Sequence, residues 1–372
     1  MRYHLPTMLQ DNLINWFQQH RVDLPWRAQR DPYHVWISEI MLQQTQVTTV
    51  IPYFERFIER FPTVVHLAAA PLDDVLKLWE GLGYYSRARN LHAAAQMIID
   101  KFDGQFPNTV DDLRHLPGVG DYTAGAIANF AFGADAPLVD GNVIRVLTRL
   151  FDIDADVTRA AGKRAVWDLA AELVPTGRGP LWNEGLMELG RLVCTPRSPA
   201  CEACPVQTHC QALARGTQEE RPVKPKRKPT PHYDVTAAVI TRDDGRILIA
   251  QRPTDKMLGG LWEFPGGKRE PGESLRDCLV REIEEELSLV IDVGPQITTV
   301  KHAYSHFKIT LYAFACEVRS GEATPLGVAD FAWVTADQFD AYAFPVTDQK
   351  IIAALRSGGG QLGMDFNEGL SS

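Results

Sequence analysis

Four of the chain's six cysteines fall within one short segment, as Cys194, Cys201, Cys204 and Cys210 with the spacing C-x6-C-x2-C-x5-C. Met1–Gln10 lacks the basic-then-apolar pattern of an export signal, so the thiols are expected as metal ligands rather than as disulfides. Zinc and a [4Fe–4S] cluster both accept four thiolates. A zinc ribbon presents two separated C-x2-C knuckles, whereas this segment has one close pair inside a single loop. The spacing therefore favours an iron–sulfur cluster. Cys278 and Cys316 stand among apolar residues and read as ordinary buried thiols.

The rest of the chain divides by pattern. Residues 1–216 are predicted to be helical, with apolar residues at helical spacing in Leu13–Phe17, Val35–Ile51, Val75–Trp79, Ala93–Ile99, Thr123–Phe130, Val143–Leu150 and Ala165–Leu173. The stretch 217–231 (TQEERPVKPKRKPTP) is basic and proline-rich without apolar period, and reads as a semi-extended, mobile linker. Residues 232–357 turn to short β-branched runs around a helical segment, Ser274–Leu289, and are expected to form an α+β domain. A low-complexity tail, 358–372, is expected to be disordered. No apolar run is long enough to span a bilayer, which points to a cytoplasmic protein, expected as a monomer. Charge does not advertise a nucleic-acid partner. Residues 1–215 carry 20 basic against 24 acidic side chains, and residues 216–372 carry 18 against 23. Any DNA contact must come from local patches, backbone amides and helix ends.

Three strings carry chemistry. Leu116-Pro117-Gly118-Val119-Gly120-Asp121-Tyr122 sets two glycines in a tight turn opening a helix. That is either a plain interhelical turn or a place where backbone N–H groups meet a phosphate. Glu39 is a lone charge among apolar neighbours on a predicted helix, where burial raises a carboxyl's pKa. Asp140, in Val139-Asp140-Gly141-Asn142-Val143, directly precedes a helical run and is expected as an N-cap held ionised. An acid paired with a carboxylate suits cleavage of a glycosidic bond: one protonates the leaving group and the other stabilises a positive sugar.

Taken together, Pro25-Trp26-Arg27, SEIMLQQTQV at 38–47, GLGYYSRARN at 81–90, LPGVGDYTAGAI at 116–127, VDGNV at 139–143 and the cysteine loop resemble the adenine DNA glycosylase family of the helix-hairpin-helix superfamily. The resemblance covers nearly all of residues 10–215. It implies a mainly α glycosylase domain carrying a [4Fe–4S] loop, with double-stranded DNA holding adenine opposite 8-oxoguanine or guanine as substrate. It also implies that Glu39 protonates the extruded adenine and later assists water, that Asp140 stabilises the sugar cation, and that Tyr122 and Asn142 line the pocket. Trp26 and Arg27 fall to substrate binding, Gln44 and Tyr84 to wedges at the mismatch, and Gly118 and Gly120 to the phosphate backbone. Lyase members of the superfamily carry a Schiff-base lysine where this chain has Tyr122, so a water-using enzyme without strong AP lyase activity is implied.

Beyond the linker, Gly267-x5-Glu273-x7-Arg281-Glu282-Ile283-Glu284-Glu285-Glu286-Leu287-Ser288-Leu289 resembles the Nudix signature, departing only at Ser288 where the pattern has glycine. Its glutamates share a helical face and could hold Mg²⁺, which leaves a hydrolase acting on oxidised dGTP as an alternative. The resemblance favours instead an 8-oxoguanine-reading domain, with Tyr304, Ser305 and His306 at the lesion. Two further alternatives are a DNA-bound redox sensor and a thymine or oxidised-pyrimidine glycosylase. Against the latter stand Tyr122 and VDGNV. Arg191 and Arg197, beside the cysteine loop, are expected on phosphates.

Overall fold

The computed structural model describes residues 7–27, 30–225 and 229–357. The proposed disordered tail lies outside them. In chain order the helices are α1 (Thr7–His20), α2 (Pro32–Leu42), α3 (Val47–Arg60), α4 (Val64–Ala69), α5 (Leu72–Trp79), α6 (Ser86–Phe102), α7 (Val110–Leu113), α8 (Asp121–Phe130), α9 (Gly141–Leu150), α10 (Ala160–Leu173), α11 (Gly179–Leu192) and α12 (Gln211–Arg215). Strands β1 (His232–Thr241), β2 (Ile247–Gln251) and β3 (Trp262–Glu263) precede α13 (Leu275–Leu287), and β4 (Val290–Ala303), β5 (Lys308–Ser320) and β6 (Asp330–Val334) precede α14 (Val346–Ser357). Among the described residues no helix is long and apolar enough to cross a membrane.

Two compact units result. The first joins the residues through Ala69 to those from Asn90 into the linker; the second joins Ala70–Arg89 to the residues from the end of the linker onward. The sequence reading assigns Ala70–Arg89 to the helical domain, whereas its packing partners lie in the other unit. Proximity along the chain does not decide packing when a segment's apolar face finds its cover elsewhere.

In the first unit, α1, α9, α10 and α11 enclose a core that includes Leu13, Val146, Leu147, Leu169, Trp182 and Leu189. Cys194, Cys204 and Cys210 pack at the end of this cluster, so the cysteine loop closes the helical core. The single predicted helix Val35–Ile51 is in fact two. Gln43 ends α2 by leaving the helical region at φ −58° and ψ 110°, and Gln44 takes a left-handed φ of 61°, turning the chain before α3. The first half of the predicted mobile linker is also fastened down. Gln218–Glu220 forms a 3₁₀ turn, Val157 N–H donates to the Val223 carbonyl at 3.3 Å, and Arg221 pairs with Asp152 at 2.9 Å.

The second unit holds a mixed sheet in the order β3-β2-β1-β5-β4, with β6 also on β2; β1 and β5 run parallel. Alternation along β1 sends Ala237 and Val239 into one core with α14's Ile351 and Ile352. Ala238 and Ile240 go into another with α13's Leu279, Ile283 and Leu287. Both sheet faces are therefore covered, as a period of two requires when neither side meets water. Ser274 caps α13 by accepting from Asp277 N–H at 3.1 Å. At its other end Ser288 adopts φ 57°, the conformation that the signature's glycine would take without a Cβ penalty.

Candidate active site

A cleft of about 920 Å³ in the first unit gathers Trp26, Arg27, Glu39, Gln44, Gly120, Tyr122, Asp140 and Asn142. Asp31 and Pro32 start α2, with the Asp31 side chain accepting from His34 N–H at 3.1 Å. Glu39, 5% exposed, lies on this helix. Across from it, Tyr122 in the first turn of α8 donates its hydroxyl to Glu39 Oε2 at 2.8 Å. Burial pushes the Glu39 carboxyl from 4.5 up to about 7, opposed by the Tyr122 hydrogen bond and Arg27 and reinforced by Asp140 and Glu184. Such a group holds a proton near neutrality and can also give it up.

Asp140 is the N-cap of α9. Its Oδ1 accepts from Val143 N–H at 2.7 Å and its Oδ2 from Asn142 Nδ2 at 2.9 Å. The cap is as expected, but burial raises the carboxyl above the ordinary aspartate range against the pull of these donors and Arg145. The cap position alone therefore does not describe its ionisation. Enclosure weighs more heavily. Asn142 is held in turn. Its Oδ1 accepts from Arg145 Nη2 at 2.8 Å, and Arg145 Nε donates to the Cys194 carbonyl at 2.6 Å. A continuous chain of polar contacts thus links Asp140 to the first cysteine of the loop. Gly190 lets α11 come this close, since a Cβ there would stand 2.6 Å from Asn142 Cβ.

Sequence reasoning missed Glu184, on α11. It is buried, faces the cleft and pairs with Arg27 Nε at 3.0 Å and Arg30 Nη2 at 3.4 Å. The signal was available, because Glu184 stands in the apolar run LWNEGLMELG much as Glu39 stands in its own. Gln43, Glu188 and Arg191 also line the cleft, Gln43 donating to Thr123 Oγ1 at 3.3 Å. Arg191 is ion-paired with Glu188 on that wall, where the sequence reading expects it on phosphates. Trp26 is mostly buried and packs edge-on against Phe54. Gly118, at φ 75°, belongs to the turn before α8 rather than to the cleft wall. A Cβ there would meet Asn90 Cβ at 2.7 Å.

All four loop cysteines line one cavity, together with Val146, Arg149, Leu150 and Leu189. Among the described residues no group of three or more His, Cys, Asp or Glu is arranged to hold a single ion. Four thiols around one cavity supply the ligand set of a [4Fe–4S] cluster, one thiolate to each iron. Arg149, buried, donates to Cys194 Sγ at 3.4 Å and to the Thr195 carbonyl at 2.7 Å, supplying positive charge where thiolates gather. The residues present fit the cluster. When bound, it supplies a covalent cross-link to the end of the helical core.

In the second unit, Arg281 clasps Glu273, Glu282 and Glu285 at 2.8, 3.0 and 3.2 Å. The hydrogen bonds from Arg281 hold Glu273 down at about 2, while burial lifts Glu286 to about 7. Arg252 meets both oxygens of Glu263 at 2.7 Å. Arg281 thus already engages three of the box carboxylates, which would have to exchange that guanidinium to hold Mg²⁺, whereas Glu286 Oε2 is buried without a hydrogen-bond partner among the described residues. Ser305 and His306 are exposed on the turn between β4 and β5, and Ser305 is hydrogen-bonded to Tyr84. Tyr304 instead packs toward the core, 4.9 Å from Phe307 and 4.5 Å from His302 between ring centres. That packing makes it a support for the turn more than a surface for stacking.

Residues 37–172 match the family model of the HhH-GPD superfamily base excision DNA repair proteins. Residues 194–210 match the iron–sulfur binding domain of endonuclease III, and 236–354 the NUDIX domain. The structure of a thermostable thymine-DNA glycosylase is 30% identical with a TM-score of 0.52, covering 56% of this chain and 96% of that one. Helical domain, cleft and cluster loop together define a DNA glycosylase of base excision repair that carries a [4Fe–4S] cluster. Adenine DNA glycosylase of Rattus norvegicus is 37% identical over 94% of this chain and 79% of its own length, and that of Homo sapiens 36% over 93% and 73%. The chain belongs to the adenine DNA glycosylase family.

Proposed function

We propose that this enzyme removes adenine paired with 8-oxoguanine or guanine in double-stranded DNA, acting as a monomer in the cytoplasm and without strong AP lyase activity. The observation that carries the reading is the Tyr122–Glu39 hydrogen bond at 2.8 Å in the cleft that Asp140 also lines. Glu39, protonated, gives its proton to a ring nitrogen of the extruded adenine. The C1′–N9 bond then breaks with its electron pair leaving on the base. Asp140, ionised, faces the resulting oxocarbenium-like sugar, and the Glu39 carboxylate takes a proton from the attacking water. Asn142 and the Val143 amide hold Asp140 in place.

Tyr122 stands where lyases of the superfamily carry their Schiff-base lysine, and none of the cleft-lining side chains among the described residues is a lysine, which supports the water-using reading. Trp26, Arg27 and Glu184 form the adenine side of the cleft. Gln44 and Tyr84 act as wedges, and Gly118 and Gly120 approach the phosphates. Ser305 and His306, with Tyr304 beneath them, read the base opposite. The proposed division is a glycosylase domain over 1–216, less the segment Ala70–Arg89 that packs with the second unit, a linker over 217–231 whose first half is tied to the first unit, and a reading domain over 232–357.

The test is excision from duplexes placing adenine opposite 8-oxoguanine, guanine or cytosine, with strand cleavage scored before and after alkali. Release opposite the two purines, with breaks only after alkali, is expected. Equal release opposite cytosine would overturn the specificity, and breaks without alkali would overturn the water-using chemistry.

A further inference from the structure

The proposed wedge Tyr84 belongs to the second unit, as does the turn carrying Ser305. The ties are specific. Lys77 Nζ donates to Glu80 Oε2 at 2.9 Å and to the Tyr342 carbonyl at 2.8 Å. Glu80 Oε1 accepts from the Phe344 N–H at 2.8 Å. Arg89 Nη1 donates to the Gly259 carbonyl at 2.5 Å. Phe344 is 1% exposed and stacks on Phe264 within the sheet core, so Glu80 is fastened to a rigid point.

The wedge turn itself is braced from below. Gly81, Gly83 and Tyr84 all take left-handed backbone, at φ 95°, 71° and 49°. Buried Arg87 donates to the Leu82 and Gly83 carbonyls at 3.2 and 3.1 Å, and its guanidinium lies 5.5 Å from the Tyr84 ring centre. At the top, the Tyr84 hydroxyl and Ser305 Oγ are hydrogen-bonded to each other.

We infer that the wedge turn 81–85 and the hairpin turn 304–307 form one reading head, and that Glu80 is the positioning residue that sets its discrimination of the base opposite adenine. The inference rests on the proposed role of Tyr84 and Ser305. Guanine and 8-oxoguanine differ at N7 and C8, a change of one donor and one oxygen. Telling them apart requires the hydroxyl pair to be held to a fraction of an ångström. Two side chains on separate turns keep such a spacing only if something rigid joins their supports, and the Glu80–Phe344 and Lys77–Tyr342 bonds do so.

The test compares single-turnover excision of adenine opposite 8-oxoguanine and opposite guanine in the full-length protein. Amide hydrogen exchange is read at 80–86 and 302–308 alongside. Glu80→Ala is expected to lower the preference for 8-oxoguanine about tenfold, the scale of one lost charge-assisted hydrogen bond. Excision opposite guanine should stay within about twofold, and exchange should quicken in both segments. Adding Ser305→Ala to Glu80→Ala should cost little more. Glu80→Gln keeps an acceptor for the Phe344 N–H and is expected to recover most of the preference.

If Glu80→Ala keeps the parental preference while Ser305→Ala loses it, the inference fails and the reading of Ser305 stands. If Tyr84→Ala and Ser305→Ala both keep it, the reading itself fails and takes the inference with it. Should Glu80→Ala not fold, Lys77→Met opens the same clamp from its more exposed side and is judged by the same outcomes.

Discussion

Glu39→Gln separates the catalytic from the structural cost of burying a carboxyl. A carboxyl that titrates near 7 instead of 4.5 is protonated in the folded chain over a range where the unfolded chain has released its proton. Its contribution to stability is therefore fully present below pH 4.5 and is lost as pH rises toward 7. At about 1.4 kcal/mol per pH unit between the two values, the loss reaches about 3 kcal/mol at pH 8 and stays under about 1 kcal/mol at pH 5. Glutamine does not titrate. The stability of Glu39→Gln relative to the parent should thus improve by about 2.5 kcal/mol between pH 5 and pH 8, while excision falls at least about 100-fold at both. Urea titrations at the two pH values, with single-turnover excision alongside, measure both quantities. A stability difference that does not change with pH would refute the claim that Glu39 is held protonated by its surroundings, whatever the activity does.

Four other outcomes are expected. Tyr122→Phe removes the hydrogen bond that holds the Glu39 carboxyl down, so the alkaline limb of the pH–rate profile should move up by about one pH unit; a limb that stays or moves down counts against the arrangement. Asn142→Ala deprives Asp140 of one donor and Arg145 of its partner, and excision should drop about 10- to 100-fold with the melting temperature little changed. Gly190→Ala drives a methyl into Asn142 and should destabilise the fold by about 1–3 kcal/mol, read by urea unfolding. Cys204→Ser should lose the visible iron–sulfur absorbance and lower the melting temperature by several degrees, because the loop closes the α1–α9–α11 core.

The strings that carry chemistry were legible because they combine an unusual residue with a local rule. Glu39 is a charge inside an apolar helix, Asp140 precedes a helix, and the four thiols sit in one loop. What sequence did not disclose lies at longer range. The apolar run around Glu184 announces a buried charge, but not that α11 packs beside α9 and so brings that charge to the same cleft as Glu39. Likewise Ala70–Arg89 looks like one more helix of the first domain until its hydrogen bonds to Tyr342, Phe344 and Gly259 are seen. The box glutamates keep their helical spacing, so the signature matches, yet the spacing does not disclose that Arg281 already holds Glu273, Glu282 and Glu285. The break at Gln43–Gln44 was hidden because the apolar period resumes in phase beyond it.

The alternation along β1 bears on how such a domain can change over generations. With Ala237 and Val239 committed to one core and Ala238 and Ile240 to the other, the central strand has no spare side on which a new contact could be tried. A polar replacement at any of these four positions would bury an unsatisfied group, and a larger one would collide with a helix. Novelty in this unit is therefore confined to its rim, at the turn bearing Ser305, the end of α13 at Ser288, and the segment borrowed from before α6. A domain of this build takes on a new target at its rim while its centre stays as it is.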